Sequence, residues 1–325
     1  MLRKIALWVF ALSGTALAGG AAAQAYAPDR PIEFLVHTGP GGGSDVFARG
    51  AAAVLEKNKL VPQRIQITNK TGGGGLVAMS FLSEKAGQPE PVAFFTSVWY
   101  VNPLIRKEGK VTMNELTPIA RLILEASVLT VRADSPFKNV KDFIEAARKN
   151  PGKLKQAGGS ISGRDNNMRL LMQKATGTQW QFISFPGGGE RIAALLGGHA
   201  DTYVMEPSEA LEHIRAGKIR VIAAVMDKRL AAFPDVPTLK EQGLNVPEIP
   251  QPRGVVGPPN MPANAKAYWE AVMAKMVKTP EWREFLKKDL LEDAFLTGPA
   301  LQDFTKSFSQ QMREILKEGG VAVVR

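Results

Sequence analysis

Hydroxyl side chains and bare glycines crowd one short stretch, EFLVHTGPGGGSDVFAR at 33–49, in which Thr38 and Ser44 bracket four glycines. The stretch runs from apolar residues into a helical pattern. Such a loop can serve a tight turn, since glycine accepts positive φ without a steric cost. It can also hold an anion, because the first N–H groups of the helix have no internal partner. GSISG at 159–163 is a second Gly-rich stretch and carries Ser160 and Ser162. These residues suit the binding of a carboxylate by main-chain N–H groups and by the hydroxyls of Thr38, Ser44, Ser160 and Ser162, with glycine permitting close backbone approach.

Other chemistries lack their residues. In GPGGGS (39–44), Ser44 replaces the third glycine of a dinucleotide fingerprint, and the next strand ends in TNK without an acid. A phosphate-binding G-K-[ST] is absent. The serines of GSISG fall at its second and fourth positions, so it is not G-x-S-x-G. His37, His199 and His213 show no metal spacing, and no HExxH occurs. No catalytic residue, metal or cofactor is therefore assigned. A secreted hydrolase with a Ser–His–Asp site gathered from distant residues stays open as an alternative.

The elements that must position these loops repeat. RIQIT (64–68) reads as a strand, NKTGGGG (69–75) as a loop and LVAMSFLSEKA (76–86) as a helix. Further on, WQFISF (180–185) leads through PGGG into ERIAALLGG, and ADTYVM (200–205) leads into EPSEALEHIRAG. Apolar strands separated by helices suit βαβ units around parallel sheets covered on both faces. The alternation falls into two blocks, about 30–120 and about 135–230, joined by LTPIARLILEASVLTVRADSPF, whose apolar middle reads as one long strand. A Pro- and Gly-rich segment (246–262) carries a short strand, RGVVG, and residues 263–325 are helical in pattern. Two α/β lobes joined by crossing segments enclose a cleft, and ligands of open α/β sheets sit beyond the carboxyl ends of strands. Here those ends carry the Gly loops.

The chain opens with Arg3 and Lys4, an apolar run from Ile5 to about Leu17, and the small-residue site Ala23-Gln24-Ala25. This is the pattern of a cleaved secretory signal over residues 1–25; a retained anchor is the alternative. Without cysteine there is no disulfide and no lipid-modified terminus, so the expectation is a free periplasmic protein cut near Ala25. Apolar residues make up 45% and charged residues 22%, which suits a soluble chain with a real core. Losing Arg3 and Lys4 with the leader lowers the net charge of +10 by two. The basic residues are scattered rather than clustered with aromatics, which argues against nucleic acid.

Taken in order, these stretches resemble the Bug-type (TctC-like) periplasmic solute-binding receptors of tripartite tricarboxylate transporters. RPIEFLVHTGPGGGSDVFAR is similar to the family's P-I-x-x-x-V-P-x-x-P-G-G-x-x-D-x-x-A-R, and ITNKTGGGG to its V-x-N-x-x-G-A-G-G. DFIEAARKNPGKLKQAGGSISG resembles its entry into the second lobe. FPGGGERIAALLGGHAD resembles Y-x-G-x-x-x-A-x-x-x-L-x-G-x-x-D, and DVPTLKEQG resembles V-P-T-x-x-E-x-G. The resemblance covers nearly the whole mature chain.

It implies a two-lobed periplasmic-binding-protein (Venus flytrap) fold, each lobe a mostly parallel sheet flanked by helices. Lobe 1 takes residues 26–126 and 253–325, and lobe 2 takes 127–252. The implied partners are a small organic mono- or dicarboxylate and the membrane permease subunits of a tripartite transporter, with the receptor a monomer. A sensor with the same cleft, docking to a signalling protein, is the alternative.

Carried over by position, the first-lobe grip falls on Thr38, Gly41, Gly42, Gly43 and Ser44, beside Asn69 and Gly73. Ser97 and Trp99 form a side wall. The second-lobe grip falls on Ser160, Ser162, Gly163 and Arg164, and on Phe185 and Gly187. Glu206 stands where many members have an aspartate that receives a ligand amine or hydroxyl; a helix N-terminal acid is the plain alternative. His37 and Gly39 replace prolines, and Arg164 and Asp165 replace small residues. Arg164 is expected either to pair with a second carboxylate or to lie solvated on its loop.

Overall fold

Apolar runs ending at glycines become strands that feed helices, and a computed structural model describes this for residues 26–325 apart from Ser160, Ser162 and Pro186. The expected leader lies outside the described residues. In chain order come β1 (Ile32–Val36), α1 (Gly43–Lys57), β2 (Ile65–Asn69), α2 (Leu76–Ser83), β3 (Val92–Phe95), α3 (Val98–Ile105) and β4 (Thr117–Glu125). Next are β5 (Val128–Arg132), α4 (Val140–Lys149), β6 (Lys155–Gly158), α5 (Arg164–Thr176), β7 (Gln181–Ser184), α6 (Gly188–Leu196), β8 (Thr202–Met205), α7 (Leu211–Arg215) and β9 (Ile219–Ala224). The chain closes with β10 (Gln251–Gly257), α8 (Ala263–Met276), α9 (Pro280–Lys288), β11 (Glu292–Leu296) and α10 (Gly298–Glu318).

The strands form two sheets flanked by helices, in the orders β11-β4-β10-β3-β1-β2 and β7-β6-β8-β5-β9. Parallel pairing is confined to β1 with β2 and β3, and to β6 with β7 and β8. The other pairs are antiparallel. Both sheets are thus mixed, where the sequence reading expected mostly parallel ones. The strands nearest the crossings cause this: β4 leaves the first sheet and β10 returns to it beside β4, so the two run in opposite directions.

Two stretches differ from the sequence reading. The expected long strand breaks at Ala126–Ser127 into β4 and β5, which belong to different sheets. The helical C-terminal stretch also contains β11, paired with β4 at the edge of the first sheet. Its five residues, EDAFL, carry too little periodicity to mark a strand.

Packing fixes the helix that follows the first Gly loop. On α1, Phe47, Ala48, Ala51 and Leu55 are buried against Phe34 and Phe94 of the sheet and Trp282 of α9. Phe47 meets Trp282 edge-on with ring centroids 6.0 Å apart. Each large apolar side chain buried here contributes about 1.5–3 kcal/mol. The start of α1 is therefore held to the rigid part of the first sheet.

Candidate functional site

The first Gly loop is closed by its own side chains. Asp45 Oδ2 accepts the Gly41 N–H at 2.9 Å, and Thr38 Oγ1 accepts the Asp45 N–H at 3.2 Å. Asn69 Nδ2 donates to the Thr38 carbonyl at 2.7 Å and to Asp45 Oδ1 at 2.9 Å. The Gly42 N–H goes to the Gly39 carbonyl at 3.0 Å. None of these bonds engages the N–H groups of Gly43 and Ser44 in the first turn of α1, where the helix dipole favours an anion.

On the second sheet, α5 and α6 begin after corresponding loops. Asp165 Oδ2 accepts the Gly159 N–H at 2.6 Å, and Asn166 Nδ2 donates to the Ile161 carbonyl at 2.7 Å. The Phe185 N–H donates to the Gly158 carbonyl at 2.8 Å and sets the turn into α6. Loops from both sheets face one cleft of about 990 Å³, continuous with an inner chamber of about 270 Å³. His37, Thr38, Gly43, Arg191, Glu206, Glu209 and Arg253 line both.

A charged network forms the cleft base. Arg164 Nη2 donates to Glu206 Oε1 at 2.5 Å, and its Nη1 donates to the Glu125 carbonyl at 3.0 Å. Gln251 Nε2 bridges Glu125 Oε2 at 2.8 Å and Glu206 Oε1 at 2.9 Å. Arg253 Nε lies 2.8 Å from Glu125 Oε2, and its Nη1 lies 3.4 Å from Ser44 Oγ. On the second lobe, Arg191 Nη1 donates to the Tyr203 hydroxyl, which donates to Glu209 Oε2, each at 2.6 Å.

Glycines make room for these charges. A Cβ on Gly43 would lie 3.2 Å from Arg253 Nη2, and one on Gly188 would lie 3.7 Å from Glu209 Oε2. Part of the bare backbone therefore accommodates the protein's own charged side chains.

Ionisation follows from this packing. Burial opposes the charged form of Glu206, but Arg164 and Arg253 outweigh it and hold the carboxylate below its ordinary range. Burial, followed by the charge of Glu206, pushes Glu209 up to about 8. Burial, followed by the charge of Arg253, pushes His37 down to about 4. The neutral His37 ring accepts the Trp99 indole N–H on Nδ1 at 3.0 Å.

Of the residues singled out in sequence, Thr38, Gly41, Gly42, Gly43, Ser44, Ser97, Gly163, Arg164, Gly187 and Glu206 line the cleft or its inner chamber. Ser160 and Ser162 lie outside the described residues. The expected side wall divides: Ser97 lines the chamber, whereas Trp99 is fully enclosed with its N–H on His37. Asn69 supports the loop from behind through Thr38 and Asp45. Gly73 sits in a short 3₁₀ turn at φ 58°, and Phe185 packs against the second-lobe core; neither lines the cleft. Arg164 is not solvated: it lines the inner chamber, with Nη1 on the Glu125 carbonyl and Nη2 on Glu206.

Glu125, Gln251, Arg253, Arg191, Tyr203 and Glu209 also belong to the cleft, and the sequence reading missed them. Signals existed for three. Glu125 and Arg253 are charges inside apolar strands, LILEASV and PRGVVG, and such charges are almost always paired when buried. Arg191 stands at the alanine position of the resembled Y-x-G-x-x-x-A pattern.

A family model described as Tripartite tricarboxylate transporter family receptor matches residues 47–321. The chain belongs to this family. The receptor is 30% identical over 318 residues to the UPF0065 protein in the gbd 5' region of Cupriavidus necator, covering 95% of each chain. Among solved structures it is similar to a TctC solute binding protein from Polaromonas with no ligand, at 26% identity and TM-score 0.74, covering 90% of this chain and 99% of that one. An R. palustris protein with adipate shares the fold at TM-score 0.82 and 21% identity, covering 91% of this chain and 99% of that one. Family and fold are those of solute-binding proteins. Among the described residues, no helix of the receptor is long and apolar enough to cross a membrane, and no group of three or more acidic or histidine side chains could hold a metal ion.

Proposed function

We propose that the receptor captures a small organic mono- or dicarboxylate between its lobes in the periplasm and delivers it to a permease of the tripartite tricarboxylate transporter type. It acts as a monomeric binding protein, without cofactor, catalysis or nucleic acid. Lobe 1 is residues 26–126 and 253–325, and lobe 2 is residues 127–252. The leader-like residues 1–25 direct export, and the absence of cysteine leaves the mature chain without a lipid anchor.

One observation carries this reading: Gly-rich loops from both sheets open onto a single cleft at helix N-termini, beside three arginines, Arg164, Arg191 and Arg253. Helix N-termini and guanidinium groups both favour an anion. A two-sided cleft of this size encloses a small ligand and places its charge between the lobes.

A thermal-shift screen over organic acids tests it. A ligand at 100 times its Kd adds about 2.7 kcal/mol to stability, so a cognate acid raises the melting temperature and a matched uncharged amide does not. If no organic acid moves the midpoint, the carboxylate reading fails.

A further inference from the structure

We propose that Arg191 is the second-lobe anchor for the ligand carboxylate and the residue that sets the receptor's preference for an anionic ligand. This rests on the carboxylate-receptor reading and names the side chain that executes it.

Three arginines reach the cleft, but two are already matched by buried acids. Arg164 is bound to Glu206 at 2.5 Å, and Arg253 to Glu125 at 2.8 Å. A ligand carboxylate competing for either would have to leave a buried carboxylate unpaired, which is costly. Arg191 differs. Its short contacts are to neutral oxygens, the Tyr203 hydroxyl at 2.6 Å and the Gly187 carbonyl at 3.2 Å. Two acids lie near it: Glu209 makes only a long ion pair at 3.6 Å and accepts the Tyr203 hydroxyl at 2.6 Å, and Asp165 acts on it through space while accepting the Gly159 N–H.

The Tyr203 and Gly187 contacts hold the guanidinium in one orientation, and no carboxylate makes a short hydrogen bond to it among the described residues. That is the arrangement a fork-shaped donor needs to take a carboxylate on two N–H groups. Position agrees with charge. Arg191 lines both the outer cleft and the inner chamber, and its side chain is 19% exposed. Bare backbone also faces it: a Cβ on Gly159 would lie 3.6 Å from Arg191 Cζ, and the space beside Gly187 and Gly189 is open. From the other lobe, the N–H groups of Gly43 and Ser44 border the same inner chamber. A carboxylate bound there touches both lobes at once.

The test uses the mature receptor with succinate, adipate, malate, glutamate and benzoate, titrated by calorimetry, each beside its amide. The wild type is expected to bind at least one acid and to discriminate against the matching amide. In Arg191→Gln, checked for folding by its ligand-free melt, affinity for that acid is expected to fall roughly 10- to 150-fold, the span carried by a bond to a charged group, and the discrimination to collapse. Arg191→Lys keeps the charge without the fork and should fall between. Should Arg191→Gln not fold, Arg191→Lys decides alone: a folded variant with at least about tenfold weaker binding supports the anchor. A folded variant that binds the acid as tightly as wild type, with amide discrimination intact, overturns the assignment while leaving the carboxylate reading in place. A wild type that binds none of the acids overturns both.

Discussion

Arg253 donates to Glu125 through both Nε and Nη2, each 2.8 Å from Oε2, and the two residues stand where the chain leaves the first sheet and where it comes back. Glu125 is the last residue of β4, separated from β5 by Ala126 and Ser127, and Arg253 lies on the returning β10. One buried ion pair therefore ties the two crossings together, and Gln251 carries the network on to Glu206 of the second lobe. The same guanidinium lies beside Gly43, at the start of α1. The crossings and the first Gly loop share a side chain.

Breaking that pair should be expensive. Arg253→Met leaves the Glu125 carboxylate buried without its cation, a loss of about 3–5 kcal/mol in comparable sites. Replacing both, Glu125→Leu with Arg253→Met, removes the stranded charge and should recover much of the stability. Urea melts of the single and double variants measure this. A single variant as stable as wild type would show that the pair is not buried as described.

Glycines of the first loop should respond unequally. A Cβ on Gly42 would lie 2.7 Å from Thr38 Cβ, whereas one on Gly41 meets nothing but must accept φ of 76°. Gly41→Ala should cost about 1–2 kcal/mol of backbone strain, and Gly42→Ala should displace the loop itself. Ser44→Ala removes only the hydroxyl beside Arg253 Nη1, a loss of about 0.5–1.5 kcal/mol, or up to roughly 3 because the partner is charged. Affinities for one acid, compared among variants of matched melting temperature, separate these effects. Equal losses at Gly42 and Ser44 would remove the steric argument.

The order of strands and helices, the two-block organisation and the first Gly loop were legible because apolar runs and glycine clusters are local signals. The break at Ala126–Ser127 was not, since two apolar strands in succession look like one. Sheet polarity was equally hidden, because the antiparallel pairing of β4 and β10 joins residues more than 120 positions apart, as with Glu125 opposite Gln251. The same distance concealed the charged network. Arg164, Glu206, Glu125 and Arg253 are unremarkable one by one, and their mutual pairing exists only once both lobes are folded.

Stability should depend on pH through Glu209 and His37. With Glu209 pushed up to about 8 from its ordinary 4.5 by burial and Glu206, the folded state holds the extra proton in that window. Stability from this group is therefore lost as pH rises towards 8. His37, pushed down to about 4 from 6.5 by burial and Arg253, acts oppositely, since the unfolded chain binds the extra proton between those values. Its contribution is lost as pH falls from 6.5 towards 4. Of these two groups only Glu209 acts between pH 6.5 and 8, with a slope of at most about 1.4 kcal/mol per pH unit; burial raises Asp165 and Glu248 as well, in the same direction as Glu209. Urea midpoints should fall across that interval in wild type and fall less steeply in Glu209→Gln. A flat wild-type profile would place Glu209 in the ordinary carboxylate range.

Ligand should also change the shape of the receptor. Two segments join the lobes, Ala126–Ser127 and the longer return between Ala224 and Gln251, and α10 packs across both through Phe308, Met312 and Ile315, so any closure is expected to pivot on that side, away from the cleft. A ligand shifts such an equilibrium only by binding one arrangement better. A carboxylate touching Gly43 and Ser44 on one side and Arg191 on the other makes its full set of bonds only when the lobes approach. Small-angle scattering with a saturating acid should therefore show a smaller radius of gyration than the ligand-free protein. Arg191→Gln should retain the larger value at acid concentrations that close the wild type. If saturation, confirmed by calorimetry on the same sample, leaves the wild-type radius unchanged, the acid binds one lobe only and the two-sided grip is wrong.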